Sequence, residues 1–378
     1  MTLTENNSTA AQHKKPRLAA VEYIRGISML GVVGIHVGSL YMENSAANVW
    51  LAATFEALTR FAVPIFFFIS AFGLFYNLRE PFSYGNFLRR RLAAVLIPYL
   101  AWSVFYVRHD AWYYGAPLPT LGEFGHDLFF GTTKYHLYFL VILLWFYVLM
   151  PLFIPLVKRT GQKLLVFLFV LQIIFDYISS YSTTFGTFVW SLPDSFGKDF
   201  FVYRLNFWVL HYFFIFVLGG VLALHAERFR NFLREKFALL TLFFSASAIG
   251  MFVHFVWLVR ITGYTPVGAT NTAHQLSPVG IIYTVAASLF FFALFSQQPY
   301  PKIFNPLLAL LGRHSYFVYL AHPLILGYVV APGELLTARN AIAVYFAVVA
   351  LTLAIAVIIR KIGKKLPLLN RLTIGSAG

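Results

Sequence analysis

The chain has 378 residues, of which 59% are hydrophobic, 19% aromatic and only 11% charged, with no cysteine. A soluble domain averages ~45–50% apolar and ~25% charged residues, so this chain lacks the polar surface of a water-facing globule and reads as an integral membrane protein. The net charge of +15 would suggest nucleic acid in a soluble chain, but in a membrane protein its meaning depends on where the charges sit. The missing cysteines exclude disulfides, thiolate metal sites and cysteine nucleophiles.

Residues 1–17 are polar, end in Lys14, Lys15 and Arg17, and read as a cytoplasmic tail before a retained first span. A hydrocarbon core of ~30 Å takes ~20 apolar residues per helix. On that measure about ten spans are expected, near 18–40, 48–78, 91–113, 135–157, 163–181, 205–225, 237–259, 276–296, 305–330 and 340–360. The runs are too long and alternate too little for a transmembrane barrel. The predicted fold is therefore all-α: a polytopic bundle over residues 18–362, followed by a second cytoplasmic tail at 363–378. No internal repeat is visible to support a transporter built from inverted halves.

Ten spans with an inside start put 21 of the 29 basic residues on the cytoplasmic side. They cluster as Arg79 and Arg89–Arg91, Lys158–Lys163, Arg228–Lys236, and Arg360–Arg371, with Lys14–Arg17, Lys302 and Arg313. Outside fall only Arg108, Lys134, Lys198, Arg204, Arg260 and Arg339. That asymmetry predicts two cytoplasmic termini and accounts for the positive charge without nucleic acid. The longest outer loops, near 114–134 and 182–204, are rich in Gly, Pro and aromatic residues, a composition suited to partly ordered cover over an outward cavity.

An ionisable side chain near the centre of a span costs at least ~2.5–3.5 kcal/mol, so each one points to a function or a buried partner. The first span holds Glu22, Arg25 and His36. Eleven steps from Arg25 to His36 make about three turns, so the two share a face about 16 Å apart, and Glu22 can pair with Arg25 at the i, i+3 spacing. The bland alternative is an Arg25 that snorkels and a His36 that only packs. Glu56 and Arg60, four apart in the second span, read equally well as a helix tie or as chemistry. Arg89, Arg90 and Arg91 at a cytoplasmic helix entry are a topology signal, and guanidinium is also the preferred bidentate partner for phosphate.

The fourth span opens Tyr135-His136-Leu-Tyr138-Phe139-Leu140, and the ninth contains Ser315, Tyr316, Tyr319 and His322. The charge topology places His36, His136 and His322 at similar depth in the outer half. His211 and His254 invite a haem reading, but no recurring histidine spacing supports it. Nucleotide-loop, zinc-protease and Gly-x-Ser-x-Gly spacings are absent, and no metal is expected.

These residues resemble the membrane acyltransferase-3 family over about residues 17–360. Glu22-x-x-Arg25-Gly26 with His36 is similar to the family's acidic-x-x-Arg-Gly opening and its Arg, ten residues, His spacing. Phe66-Phe67-Phe68-Ile69-Ser70-Ala71 resembles its Phe-Phe-x-x-Ser-Gly motif, Arg91 with Pro98-Tyr99 its basic third helix, and Ser315, Tyr319 and His322 its late Ser-Tyr-His helix. The stretch 135–140 resembles the subgroup acting on surface polysaccharides. Two positions depart: Ala71 stands for the usual Gly, and Ala94 for a second arginine three residues after Arg91.

The resemblance implies O-acylation, usually O-acetylation, of an extracytoplasmic or lipid-linked carbohydrate at a bacterial cytoplasmic membrane, with acetyl-CoA or another acyl-CoA as donor substrate and no bound cofactor. His36, Arg25 and Glu22 become the expected catalytic set and Arg89, Arg90 and Arg91 the donor-binding set. Tyr135, His136, Tyr138, Ser315, Tyr319 and His322 are expected around the acceptor. Direct transfer and an acyl-histidine relay are both compatible with these residues. The competing reading is a polysaccharide exporter or flippase without chemistry.

Overall fold

A computed structural model describes residues 18–375; the expected N-terminal tail 1–17 and the last three residues lie outside it. Among the described residues regular structure is entirely helical. The central helices are α1 (Ala19–Met42), α2 (Val49–Thr59) and α3 (Ala62–Tyr76), followed by α4 (Tyr84–Tyr113) and the short α5 (Leu121–Phe130). α6 (Tyr138–Val148), α7 (Met150–Arg159) and α8 (Gln162–Tyr181) lead into three short helices, α9 (Thr183–Ser191), α10 (Phe196–Val202) and α11 (Arg204–Phe207). The chain continues as α12 (Phe213–Leu224), α13 (Ala226–Glu235), α14 (Phe237–Arg260), α15 (Pro266–Thr272) and α16 (Pro278–Gln297). It ends in α17 (Asn305–Val329), α18 (Ala338–Gly363) and α19 (Pro367–Ile374).

Among the described residues seven helical segments are long and apolar enough to cross a membrane, and up to nine if two bent pairs each count as one span. α17 is left out of that number by its polar residues, yet at 25 residues it is long enough to span. It also runs alongside α1 in the same direction: Gly26 meets Gly312, and ten residues further on His36 meets His322. With α17, the described residues hold a helical segment at each of the ten places expected from the sequence, up to nine of them long and apolar enough to cross a membrane.

Their interruptions have local causes. The second span breaks between α2 and α3 at Arg60 and Phe61. Pro64 falls in the first turn of α3, where a missing N–H costs no helical bond. The Ala57 carbonyl exposed by the break accepts the Tyr283 hydroxyl of α16. α6 and α7 bend by 70° where Pro151 can neither donate to the Tyr147 carbonyl nor fit beside it. α12 turns by 99° into α13, an amphipathic helix that buries Phe229 and Leu233 and leaves its arginines exposed, as an interfacial helix does.

α1 and α17 cross in backbone contact. A Cβ on Gly312 would lie 2.0 Å from the Glu22 carbonyl oxygen, and one on Gly26 would lie 2.8 Å from the Leu311 Cβ. Such approaches replace the hydrophobic drive that lipid cannot supply between helices. The two departures from the family pattern also have packing partners. Ala71 faces Gly219 of α12, whose added Cβ would stand 3.2 Å from the Ala71 Cβ, so the glycine of this close contact sits on the opposite helix. Pro98 cannot donate to the Ala94 carbonyl, and Gly375, left-handed at φ +68 at the end of α19, packs against that carbonyl. Residues 367–374 of the expected tail are thus a helix seated on α4, where the Trp102 indole donates to the Thr373 carbonyl at 3.3 Å.

The longer connectors are built as well. Phe130 of α5 packs on Phe196, Tyr203 and Phe207 with ring centroids 5.0–5.4 Å apart, and His126 meets Asp199 at 3.1 Å. The two longest loops therefore form one aromatic layer at the end of the bundle opposite the arginines.

Candidate active site

The arginine-bearing end opens into a cavity of about 1770 Å³, larger than the ~300–1,000 Å³ usual for small-molecule pockets. Eight basic residues line it, namely Arg25, Arg79, Arg89, Arg90, Arg91, Arg313, Arg360 and Lys364, against Glu22 and Glu80. Ser70 and Gly73 of α3 complete its wall, so the motif after the phenylalanine run turns its small polar end toward this space. The Arg91 guanidinium lies over Phe87 and Tyr147 at 5.7 and 5.9 Å, which holds one positive charge by its planar face. Ala94 is not part of the lining. Position 94 is occupied by the contact with α19, and the basic wall on α4 comes from Arg89, Arg90 and Arg91.

Glu22 forms an ion pair with Arg313 of α17 at 4.0 Å, a partner the sequence did not single out. Arg25 projects exposed into the cavity. From it α1 leads about 16 Å deeper to a cluster of imidazoles from α1, α17 and the turn that precedes α6. The His36 and His322 rings stack at 5.1 Å and 24°, and His136 stands edge-on to His322 at 5.4 Å. Tyr135 packs on His36 at 4.6 Å, and Tyr106 and Tyr319 flank His136 at 5.6 and 5.2 Å. His322 and His136 are buried, whereas His36 keeps part of its surface open.

Local sequence explains how these rings are aimed. Pro323 has no N–H for the Tyr319 carbonyl four residues earlier. His322 Nδ1 fills that vacancy, 2.8 Å from the Tyr319 carbonyl and 3.1 Å from that of Val318. An Nδ1 facing two carbonyls must carry the proton, which leaves Nε2 as the bare nitrogen. That Nε2 is buried without a hydrogen-bond partner, as are both nitrogens of His136. The Tyr319 hydroxyl donates to the His136 carbonyl and the Tyr106 hydroxyl to the Leu320 carbonyl at 2.6 Å. Unpaired polar atoms in a buried pocket are costly, and such sites are places where a substrate can supply the missing partner.

The expected site residues thus divide into two groups. His36, Tyr135, His136, Tyr319 and His322 meet in the imidazole cluster, while Glu22, Arg25, Arg89, Arg90 and Arg91 line the basic cavity. Tyr319 is committed to the His136 backbone, so it positions that histidine. Ser315 donates to the Gly312 carbonyl at 2.9 Å, near the helix crossing, and Tyr138 is the first residue of α6, two after His136. Glu56 and Arg60 form a buried pair with a bond of 2.9 Å from Nη2. Arg60 also reaches the Thr270 carbonyl at 3.4 Å. It ties α2 to α15.

Two features went unread in the sequence. Tyr106 lies in an unremarkable aromatic stretch of α4, and nothing in that stretch marks its contact with His136. Asp176 bonds His211 Nδ1 at 2.6 Å and Gln172 at 2.8 Å, with Ser179 Oγ 3.4 Å from His211 Nε2. An aspartate four residues after a glutamine in an apolar helix was the available signal. Among the described residues no group of three or more His, Asp or Glu is arranged to hold a metal ion.

A family model described as an acyltransferase domain matches residues 18–361, which hold both clusters and the crossing between them. The chain belongs to the acyltransferase-3 family. It is a multi-pass membrane acyltransferase by that membership and by its helices. It is also similar to a Staphylococcus aureus protein named "Probable poly-beta-1,6-N-acetyl-D-glucosamine export protein", 24% identical over 322 residues that cover 83% of each chain. No solved structure matches it.

Proposed function

We propose that this protein transfers an acyl group, acetyl by preference, from cytoplasmic acyl-CoA to a hydroxyl of an extracytoplasmic or lipid-linked carbohydrate. The observation that carries the proposal is the single face of α1, which puts Arg25 in a cavity with eight basic residues and His36 in the imidazole cluster. The donor's phosphates suit the guanidinium wall of α4, because planar forks bind phosphate bidentately. Its thin thioester arm then follows α1 past Arg25 toward His36. The basic bias of this end supports a cytoplasmic orientation for it, in a bacterial cytoplasmic membrane.

His36 is the general base in this reading, because it alone of the three imidazoles keeps an open edge for an incoming hydroxyl. It removes the hydroxyl proton as the oxygen attacks the thioester carbonyl carbon. The tetrahedral intermediate collapses, the C–S bond breaks, and the thiolate leaves with the proton returned from His36. His322 and His136 support the approach of acceptor and acyl carbonyl, and His322 holds a fixed tautomer against the His36 ring. The test is transfer of label from acetyl-CoA to carbohydrate in membranes. His36→Ala and Arg25→Ala proteins that insert normally and still transfer at the parental rate would refute the assignment.

The name of the staphylococcal relative favours one second reading, export of a polysaccharide without acylation. Glycan movement across proteoliposomes with no donor present, together with no acyl transfer when donor is added, would establish it.

A further inference from the structure

We propose that the end of α4 and the end of α17 form an aromatic platform that binds several successive sugar rings of a glycan chain and feeds its terminal ring to His36. This rests on the acyltransferase reading for its direction but not for its existence. At that end His109 stacks on Tyr113 at 5.5 Å and 20°, and its Nε2 lies 3.1 Å from the Tyr328 hydroxyl of α17. Tyr113 packs on both Tyr114 and Tyr328, at 4.7 and 4.9 Å. A membrane-interface belt also enriches Tyr and Trp. These rings are fastened to one another across two helices and still leave faces open, with Tyr328 50% and Trp112 77% exposed.

The platform is continuous with the imidazole cluster. Tyr114 fits over Gly327, where a Cβ would come 2.6 Å from its hydroxyl, and the Lys134 ammonium lies between its ring and that of Tyr106, at 5.8 and 5.4 Å, with Tyr106 in turn against His136. Tyr135 keeps half its surface accessible while its ring touches His36. Exposed aromatic surface at Tyr114 and Tyr135 thus flanks Lys134 on the way to the partly open histidine. Asp110 and Lys134 pair at 2.7 Å.

The chemistry of this surface selects its occupant. A pyranose presents a face of C–H bonds that suits the electron-rich face of an aromatic ring, and its rim of hydroxyl and amide groups suits a carboxylate and an ammonium held side by side. Trp112, Tyr113, Tyr114 and Tyr328, gathered around His109 with centroids 5.5–6.3 Å from it, offer more than one exposed face, which suits adjoining units of a chain rather than a single sugar.

The test uses the full chain in nanodiscs, with a β-1,6-linked N-acetylglucosamine pentamer and the monosaccharide as probes. Affinity is read by isothermal calorimetry without donor, and transfer kinetics are read with acetyl-CoA. The parent should bind the pentamer at least about tenfold more tightly than the monosaccharide, and Tyr113→Leu/Tyr328→Leu should lose that advantage. Tyr113→Phe/Tyr328→Phe should keep it, as should Trp190→Leu, an exposed aromatic on α9 away from the platform. In transfer, the Leu pair should raise KM for the pentamer and leave kcat on the monosaccharide unchanged. Equal pentamer affinity in parent and Leu pair, or no preference of the parent for the pentamer, overturns the platform. Donor-free binding with the expected variant pattern but no transfer leaves the platform standing and removes the acyltransferase reading. Normal transfer with an unchanged pentamer KM does the reverse.

Discussion

Gly312→Ala tests the crossing on which the whole arrangement depends. The new Cβ would meet the Glu22 carbonyl oxygen at 2.0 Å and the Glu22 Cγ at 2.7 Å, against an ordinary contact of 3.4 Å or more. The oxygen is backbone within α1, so rotation of a side chain cannot relieve the contact. The helices must part by about 1.4 Å, the difference between those two distances. Overpacking of this kind costs ~1–3 kcal/mol of stability. The functional cost is larger in proportion, because α1 and α17 carry His36 and His322 ten residues beyond the crossing. A shift of about 1 Å in reacting groups lowers rate by about 100-fold. The assay is acyl transfer by purified protein in nanodiscs beside its thermal unfolding. A modest loss of stability with transfer down by roughly two orders of magnitude is expected. Parental transfer by a folded Gly312→Ala protein would refute the claim that this crossing sets the site.

Other perturbations separate the parts of the site. Pro323→Ala restores an N–H to the Tyr319 carbonyl and competes with His322 Nδ1. Transfer should fall about tenfold, or ~1.4 kcal/mol of barrier, with little change in the unfolding temperature. Arg91→Lys keeps the charge but loses the planar fork and the stacking on Phe87 and Tyr147. Initial rates against acetyl-CoA concentration should show a donor KM raised about tenfold and kcat nearly unchanged. Glu56→Gln leaves Arg60 buried without its counter-charge, which costs ~3–5 kcal/mol. Thermal unfolding and membrane yield should both drop, and Glu56→Gln/Arg60→Met should recover part of the loss.

Much of this molecule is legible in its sequence because a bilayer leaves few choices. The apolar runs dictate helices, and Arg25 and His36 share a face because 3.6 residues per turn require it. The meeting of His36, His136 and His322 was legible only as agreement in depth. Contact between them depends on helix crossings such as Gly26 on Gly312, which no local pattern encodes. Glu22 shows the same limit: its i, i+3 spacing to Arg25 is local, whereas its ion pair with Arg313 crosses to α17, which no local spacing encodes. Ala94 reads as a missing arginine until the end of α19 is seen against it. The role of Pro323 was within reach, since a proline after a buried histidine frees the carbonyl that the imidazole then takes. The Asp176–His211 pair was written in the sequence as an aspartate in an apolar helix, but its partner lies 35 residues away.

The central claim is that α1 joins a donor cavity at Arg25 to a base at His36. Its most direct measurement is single-turnover transfer of labelled acetyl from acetyl-CoA to a carbohydrate acceptor by purified protein, with donor binding followed separately. The account predicts that His36→Ala binds donor normally and transfers no label, whereas Arg25→Ala loses both donor affinity and transfer. Label transferred by His36→Ala at the parental rate, or no acetyl-CoA binding by the parent, would contradict it.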